Sequence, residues 1–324
     1  RFGLDDRFEE NQWDNIFRGV DTYEHIYTLW FGHSFKQKHQ LQTMFSIVPP
    51  NEYTMKPTSS CISNWETMWD DPQVEVDNEN PEKTWVREPG IPGDFYRGYG
   101  VSYQYYKNGE PLSSDTVRGM LMDKLQGDMI DVKLMMQDVD TVVNKYSIGK
   151  DPYANDANYI VYRAAGVHLY AAEVYALWEF DHSGIVRPET NTSLNILNRG
   201  KYSERNGQLG VRGRVGFADG YEAVSIDDIV YQHDPYTNKI TGYFNFTGNL
   251  ARKQQYLVNK IIEERARELA FEGERFYDLM RVAKRRNNPD YLASKVAQKF
   301  SGARREAIRS KLQNTENWYI DYFD

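Results

Sequence analysis

Between residues 257 and 283 the chain reads LVNKIIEERARELAFEGERFYDLMRVA. Apolar or small residues recur at Val258, Ile262, Ala266, Leu269, Gly273, Phe276, Met280 and Ala283. Steps of three and four place all eight on one face of a helical path. The other face carries Glu263, Glu264, Arg267, Glu268, Glu274 and Arg281. Glu263 stands four before Arg267, the favourable order for a helical ion pair. Gly273 falls mid-stretch, where glycine costs about 1 kcal/mol relative to alanine inside a helix. The expectation is one helix ending at Glu272 with Gly273 as its cap, then a shorter helix from Arg275. Charge and stripe together describe a packed helix pair.

A second helix is expected from about Asn158 to Glu179. Ala164, Ala165, Ala171 and Ala172 are small there, so a neighbouring helix backbone can approach closely. His168 on this helix reads as a packing residue rather than a ligand. SLNILN (193–198) predicts a short helix, and Tyr291–Phe300 and Arg304–Leu312 predict two more. Residues 8–17, bearing Trp13, Ile16 and Phe17, predict another. Strands are expected over EHIYTLWF (24–31) and DTVVNKY (140–146), with a turn at Lys107–Glu110 and a hairpin across Ile229–Phe246. Residues 36–64 read as a loop with one short helix, and Ser225 or Asp227 as the cap of a small helical turn. Met135 and Met136 read as core.

Residues 65–106 are irregular and aromatic: Trp65, Trp69 and Trp85 precede FYRGYGVSYQYY, while Pro72, Pro81, Pro89 and Pro92 exclude a long helix. Aromatics are depleted in disordered segments, so this is an ordered, decorated loop. The rings either pack the loop onto the helices or present flat apolar faces to sugar rings, with neighbouring Asp, Asn or Arg groups taking the hydroxyls. The candidate stacking residues are Trp65, Trp69, Trp85, Tyr96 and Tyr99, with Trp30 and Tyr53 as a competing site.

Composition narrows the function. The 324 residues hold 24 tyrosines, 7 tryptophans and one cysteine, Cys61, which excludes an internal disulfide or a Cys-rich zinc site. Net charge is -8 with no lysine-rich block, which argues against a nucleic-acid partner. Mean hydropathy is -0.72, and no stretch reaches the roughly 20 apolar residues of a membrane-spanning helix. No HExxH, GxSxG or Walker lysine is present. The glycines at 207, 210, 213 and 216 lack the strand and helix context of a phosphate loop. The six histidines show no metal-ligand spacing. No catalytic residue, cofactor or metal site is expected.

Glu264-Arg265, Glu268-Leu269, Glu272-Gly273, Arg275-Phe276, Asp278-Leu279 and Arg281 together resemble the ER…EL.FEG.R..DL.R signature of the SusD/RagB family. Tyr162-Arg163, Ala165, Leu169 and Ala172-Glu173 resemble that family's tetratricopeptide-like helix, with Gly166 where glutamate is usual. EHIYTLWF resembles its early strand, and Asn317-Trp318-Tyr319-Ile320 its terminus, with Asp321 in place of proline. The signature residues themselves read as architecture, since helix pairs and caps explain each of them.

The resemblance implies a mainly α, tetratricopeptide-like scaffold with long aromatic loops and small β-hairpins. On that reading residues 1–324 are the C-terminal portion of a SusD-like domain, with an aromatic loop region at about 50–112 and a helical core at about 155–182 and 255–313. It further implies a non-catalytic surface lipoprotein of Bacteroidetes-type outer membranes. Such a protein captures an oligosaccharide, polysaccharide or peptide for a SusC-like TonB-dependent transporter. The chain opens on Arg1-Phe2-Gly3-Leu4 with no apolar leader, so the lipid anchor is expected to lie outside it. A helical glycoside hydrolase and a pure protein-interaction scaffold remain as alternatives.

Overall fold

The computed structural model describes residues 16–17, 22, 24–37, 40–45, 54–66, 74–75, 85–86, 99–107, 110–111, 134–143, 145, 156–182, 191–198, 211, 224–233 and 239–319. The fold is mainly helical, with small antiparallel sheets. In chain order the first elements are strand β1 (His25–Leu29), helices α1 (Leu41–Phe45) and α2 (Ser59–Glu66), then strands β2 (Val74–Glu75) and β3 (Trp85–Val86). Next come β4 (Tyr99–Lys107), β5 (Glu110–Pro111), β6 (Leu134–Val143) and β7 (Tyr159–Arg163). Helices α3 (Ala164–His182) and α4 (Thr192–Asn198) follow, then the hairpin β8 (Ile229–His233) and β9 (Ile240–Asn245). The chain continues through α5 (Leu250–Glu268), α6 (Arg275–Arg285), α7 (Asp290–Ala297) and α8 (Gly302–Gln313).

The main core forms where α3 and α5 cross beside α4. Ala165, Leu169, Ala172 and Ala176 of α3 are buried against Leu257, Val258, Ile261 and Ile262 of α5, with Leu194 and Leu197 of α4 beside them. The small alanines let the backbones approach, and Ser193 ties α4 down by donating to the Ala172 carbonyl at 2.8 Å. A second apolar cluster joins Leu279 and Ala283 of α6, Leu292 of α7 and Trp318, whose indole N–H donates to the Leu312 carbonyl at 2.7 Å. Ile16 and Phe17, helical as expected, belong to a third cluster with Phe45 and Ile160. Trp13 lies outside the described residues.

Two expected helix boundaries move. The helix expected from Asn158 begins only at Ala164, because Tyr159–Arg163 pairs with β1 in an antiparallel ribbon. Aromatic and β-branched residues in YIVYR suit a pleated ladder, and the first helical amide, that of Ala164, donates to the Glu24 carbonyl at 2.8 Å. The second displaced boundary is the end of α5, at Glu268 instead of Glu272. The Glu268 carbonyl, which a continuing helix would offer to the Glu272 amide, accepts instead from Arg163 and Lys145. The chain then turns through Phe271 (φ 63) and Gly273 (φ 88), and α6 starts at Arg275 as expected. Residues 225–228 form a bend rather than a helical turn: the Ser225 hydroxyl takes the Asp227 amide at 3.0 Å, a local turn bond that competes with helix.

The expected polar face of α5 is also corrected. Glu264, Arg265, Arg267 and Glu268 are buried at 4% exposure or less. Arg267 pairs with Glu264 (3.1 Å), not with Glu263, which faces Lys260 instead (3.4 Å). Among the described residues of the segment 36–64 there are two short helices rather than one, and the strand expected at 140–146 starts earlier, at Leu134. Lys107 pairs with Glu110 across β4–β5, in keeping with the expected turn, and the β8–β9 strands pair as expected. Most of the glycine-rich run 207–216 and all of 116–126 lie outside the described residues.

Candidate functional site

Two buried ionic clusters take up Arg265, Glu268, Glu272, Asp278 and Arg281 of the 257–283 stretch. The first lies under the β1–β7 ribbon. Arg163 closes β7 and donates to Glu24 (3.0 Å), to the Glu268 carboxylate (2.6 Å), and through two bonds to Glu272 (2.7 and 2.8 Å). Lys145 joins at Glu272, and both cations lie over the Phe17 ring. Burial alone would raise the Glu272 carboxyl, but the charges and hydrogen bonds of Arg163 and Lys145 hold it down to about 2.

The second cluster joins α3, α5 and α6. Arg265 donates to Asp278 at 2.8 Å and to the Gly166 carbonyl at 3.1 Å, with its guanidinium 3.8 Å from the Tyr170 ring centre. Arg281 bridges Asp278 and Glu173, and Arg285 also reaches Glu173. Burial works against the Glu173 charge, yet the two arginines lower its pKa. A Cβ on Gly166 would meet Leu269 only at 3.9 Å, so that position tolerates a side chain. These residues hold helices together, in keeping with the architectural reading of the signature letters.

An exposed aromatic surface lies above the first cluster. Antiparallel pairing sets Tyr27 opposite Tyr162 and Leu29 opposite Tyr159, while the pair between them, Thr28 and Ile160, faces inward. A bulge at Val161 absorbs the extra β7 residue and keeps both outward pairs on one side. Tyr27 is 53% exposed, Tyr162 59%, and Trp30, just past the strand, 54%. Trp30 stands edge-on to His25 at 6.4 Å, and the next amide, that of Phe31, donates to Asn158 at 3.2 Å. A short 3₁₀ turn at His33–Phe35, closed on the Gly32 carbonyl, leaves Phe35 80% exposed. Buried ion pairs thus fix a ribbon whose outer side offers several rings. Such a surface can stack against the apolar face of a sugar or take up another aromatic group.

Of the residues singled out from sequence, Trp30 belongs to this surface, and Tyr53 lies outside the described residues. Trp65 lies in α2, which the Arg267 side chain ties to α5 through the Asn64 carbonyl at 3.5 Å. Trp85 pairs with Glu75 across β2–β3, and Tyr99 with Val143 at the start of β4–β6. These three fall in separate elements, and Trp69 and Tyr96 lie outside the described residues. Sequence reasoning passed over Tyr27, Phe35, Tyr159 and Tyr162. For Tyr159 and Tyr162 the signal is legible only once YIVYR is paired as a strand rather than read as helix; Tyr27 lay in a segment already expected as a strand, and Phe35 lies in the 3₁₀ turn beyond it. A second outward aromatic pair, Tyr231 and Tyr243 with centroids 6.5 Å apart, sits on the β8–β9 hairpin.

His168 is driven below its ordinary pKa by burial alone, in keeping with a packing role. Burial pushes the Cys61 thiol up to about 11, which makes it a poor nucleophile. Among the described residues no group of three His, Cys, Asp or Glu side chains is placed to hold a metal, and no helix is long and apolar enough to cross a membrane.

Comparison with known proteins adds the family. No curated protein matches the chain. Among solved structures it is similar to surface glycan-binding protein A from Bacteroides thetaiotaomicron, with 15% identity and a TM-score of 0.33 over 96% of this chain and 51% of that one. The chain therefore spans about half the length of that protein. The model of the SusD family matches residues 96–323, which include α3, the second ionic cluster, all the ion-pair partners of the first except Glu24, and the packed Trp318. The chain belongs to the SusD family.

Proposed function

We propose that this chain is the C-terminal portion of a non-catalytic, surface-exposed glycan-binding protein that delivers its ligand to a SusC-like TonB-dependent transporter. The whole protein is held at the outer membrane by an N-terminal lipid anchor. Membership of the SusD family over residues 96–323 carries this reading. The exposed rings of the ribbon support it chemically, and the absence of a catalytic motif from the sequence agrees with binding rather than turnover.

The ligand surface is proposed to combine the aromatic loop region (Trp65, Trp69, Trp85, Tyr96 and Tyr99) with the ribbon rings Tyr27, Trp30 and Tyr162. Each well-placed ring is worth on the order of 1 kcal/mol. Two or three of them bind a single oligosaccharide at millimolar to micromolar dissociation constants, on the order expected for so shallow a site. A polymer that spans repeated sites, or is held by the transporter as well, gains from effective concentration.

Affinity electrophoresis against a panel of polysaccharides tests the reading. At least one neutral or acidic glycan should retard the protein without being degraded. Retardation by none, or release of shortened oligosaccharides, refutes it. Co-purification from mild detergent tests the partnership: recovery of the tethered full-length protein without any TonB-dependent channel argues for a free-standing role.

A further inference from the structure

Charge is unevenly distributed along the chain. Between Arg275 and Gln313 there are eleven lysines and arginines against three acidic residues, although the whole chain carries a net charge of -8. Several of these cations are accounted for by packing: Arg275 donates to the Ile262 carbonyl, Arg281 and Arg285 reach Glu173, and Arg309 forks onto Asp290 at 2.8 Å. Lys299, Arg304, Arg305 and Lys311 are different. All four are exposed on the α7–α8 hairpin, and among the described residues none of them meets a carboxylate within ion-pair distance.

Lys311 lies in the last turn of α8, where a cation suits the helix dipole, but the other two of these cations on α8 do not serve the helix. Arg304 and Arg305 occupy the first turn of α8, which holds no acidic residue, so they face the like-signed end of the helix dipole. Helix α8 buries none of its residues. Its cations nevertheless follow one another along it, with Arg304 and Lys311 two turns apart on the same side. Arg304 lies over the Phe300 ring at 4.6 Å, which presents the guanidinium beside an aromatic face.

We infer that the α7–α8 hairpin is a binding surface for an acidic polysaccharide, one that carries carboxylate or sulfate groups along a flexible chain. The inference rests on the glycan-binding reading above and narrows its substrate class. A polyanion is the ligand that a run of exposed cations without carboxylate partners recognises. An anionic bilayer fits less well, because no large apolar side chain of α7 or α8 is exposed for insertion. A single acidic chain can also lie along the hairpin alone, away from the net-negative remainder of the protein.

The test uses the full chain and a Lys299→Gln, Arg304→Gln, Arg305→Gln, Lys311→Gln variant. Circular dichroism and thermal melting should match wild type, because none of the four is buried. Affinity electrophoresis against polygalacturonate, chondroitin sulfate, dextran and xylan, at low and at roughly 0.5 M salt, gives the readout. The expected result is retardation by at least one of the two acidic polymers. High salt should abolish it, and the variant should weaken it on the order of tenfold, as four lost exposed ion pairs predict. Binding of any neutral polymer should be unchanged.

Acidic-polymer binding that survives the four substitutions overturns the inference. Neutral-polymer binding with no acidic-polymer binding overturns it too, yet leaves the glycan-binding reading standing. Failure to bind any of a wider polysaccharide panel removes both. Charge-dependent sedimentation with phosphatidylglycerol vesicles, without acidic-polymer binding, overturns it in favour of a lipid surface.

Discussion

Replacing Arg163 with methionine should be among the most damaging single changes to this fold. The side chain is 1% exposed and satisfies three carboxylates, those of Glu24, Glu268 and Glu272, together with the Glu268 carbonyl that ends α5. Methionine fills similar space but takes the guanidinium away from all three carboxylates, while Lys145 stays paired with Glu272. Breaking a buried ion pair from one side costs about 3–5 kcal/mol, a large part of the stability of an ordinary domain. Glu272 supplies a second measure. Its carboxyl is held from 4.5 down to about 2, a difference worth about 3 kcal/mol at neutral pH. A depressed carboxylate stabilises the fold above its unfolded pKa, and that contribution fades as pH falls through the folded value. For Glu272 the window runs from 4.5 down to about 2. The variant, with burial no longer offset by the guanidinium, protonates its carboxyls at higher pH. The gap in urea stability between wild type and variant should therefore be largest near neutrality and narrow as the buffer approaches pH 3. A loss below about 1 kcal/mol at pH 7 would show that the cluster is not holding ribbon to helix. A gap independent of pH would show that the cost is one of packing rather than charge.

Ala172→Trp should overfill the α3–α5 contact, where Ala172 is fully buried, and cost roughly 1–3 kcal/mol or more in thermal or urea unfolding; wild-type stability would refute the close helix approach. Gly273→Ala places a Cβ at φ 88 and should lower stability by about 1 kcal/mol through strain alone, since nothing lies within 4 Å of the added atom. At the ribbon, Trp30→Ala should weaken glycan retention about fivefold to tenfold and Trp30→Phe less, with little change in salt dependence. Unaltered retention in a Tyr27, Trp30 and Tyr162 triple alanine variant removes the ribbon from the site, just as unaltered retention in the Trp65, Trp69 and Trp85 triple alanine variant removes the loop region.

The stripe from Val258 to Ala283 was legible because helical periodicity is written locally, and Val258, Ile262, Leu269 and Ala283 are indeed buried. Its charged side was misjudged for a non-local reason. Arg163 lies 105 residues from Glu268 and 139 from Glu24, and Arg281 lies 108 from Glu173, so no local pattern marks those charges as buried. Charge usually signals water, and here it signals partners that only the folded chain assembles. The same limit applies to the ribbon. YIVYR runs directly into a long helix, and its strand character appears only when HIYTL lies against it. With that register, Tyr27 and Tyr162 become outward neighbours on a ribbon anchored from beneath by Arg163. The letters that identify the family build the frame, whereas the rings open to a ligand are selected by strand pairing across more than a hundred residues. Family membership therefore locates the scaffold, while the proposed ligand surface depends on a β1–β7 register that the signature letters do not spell out.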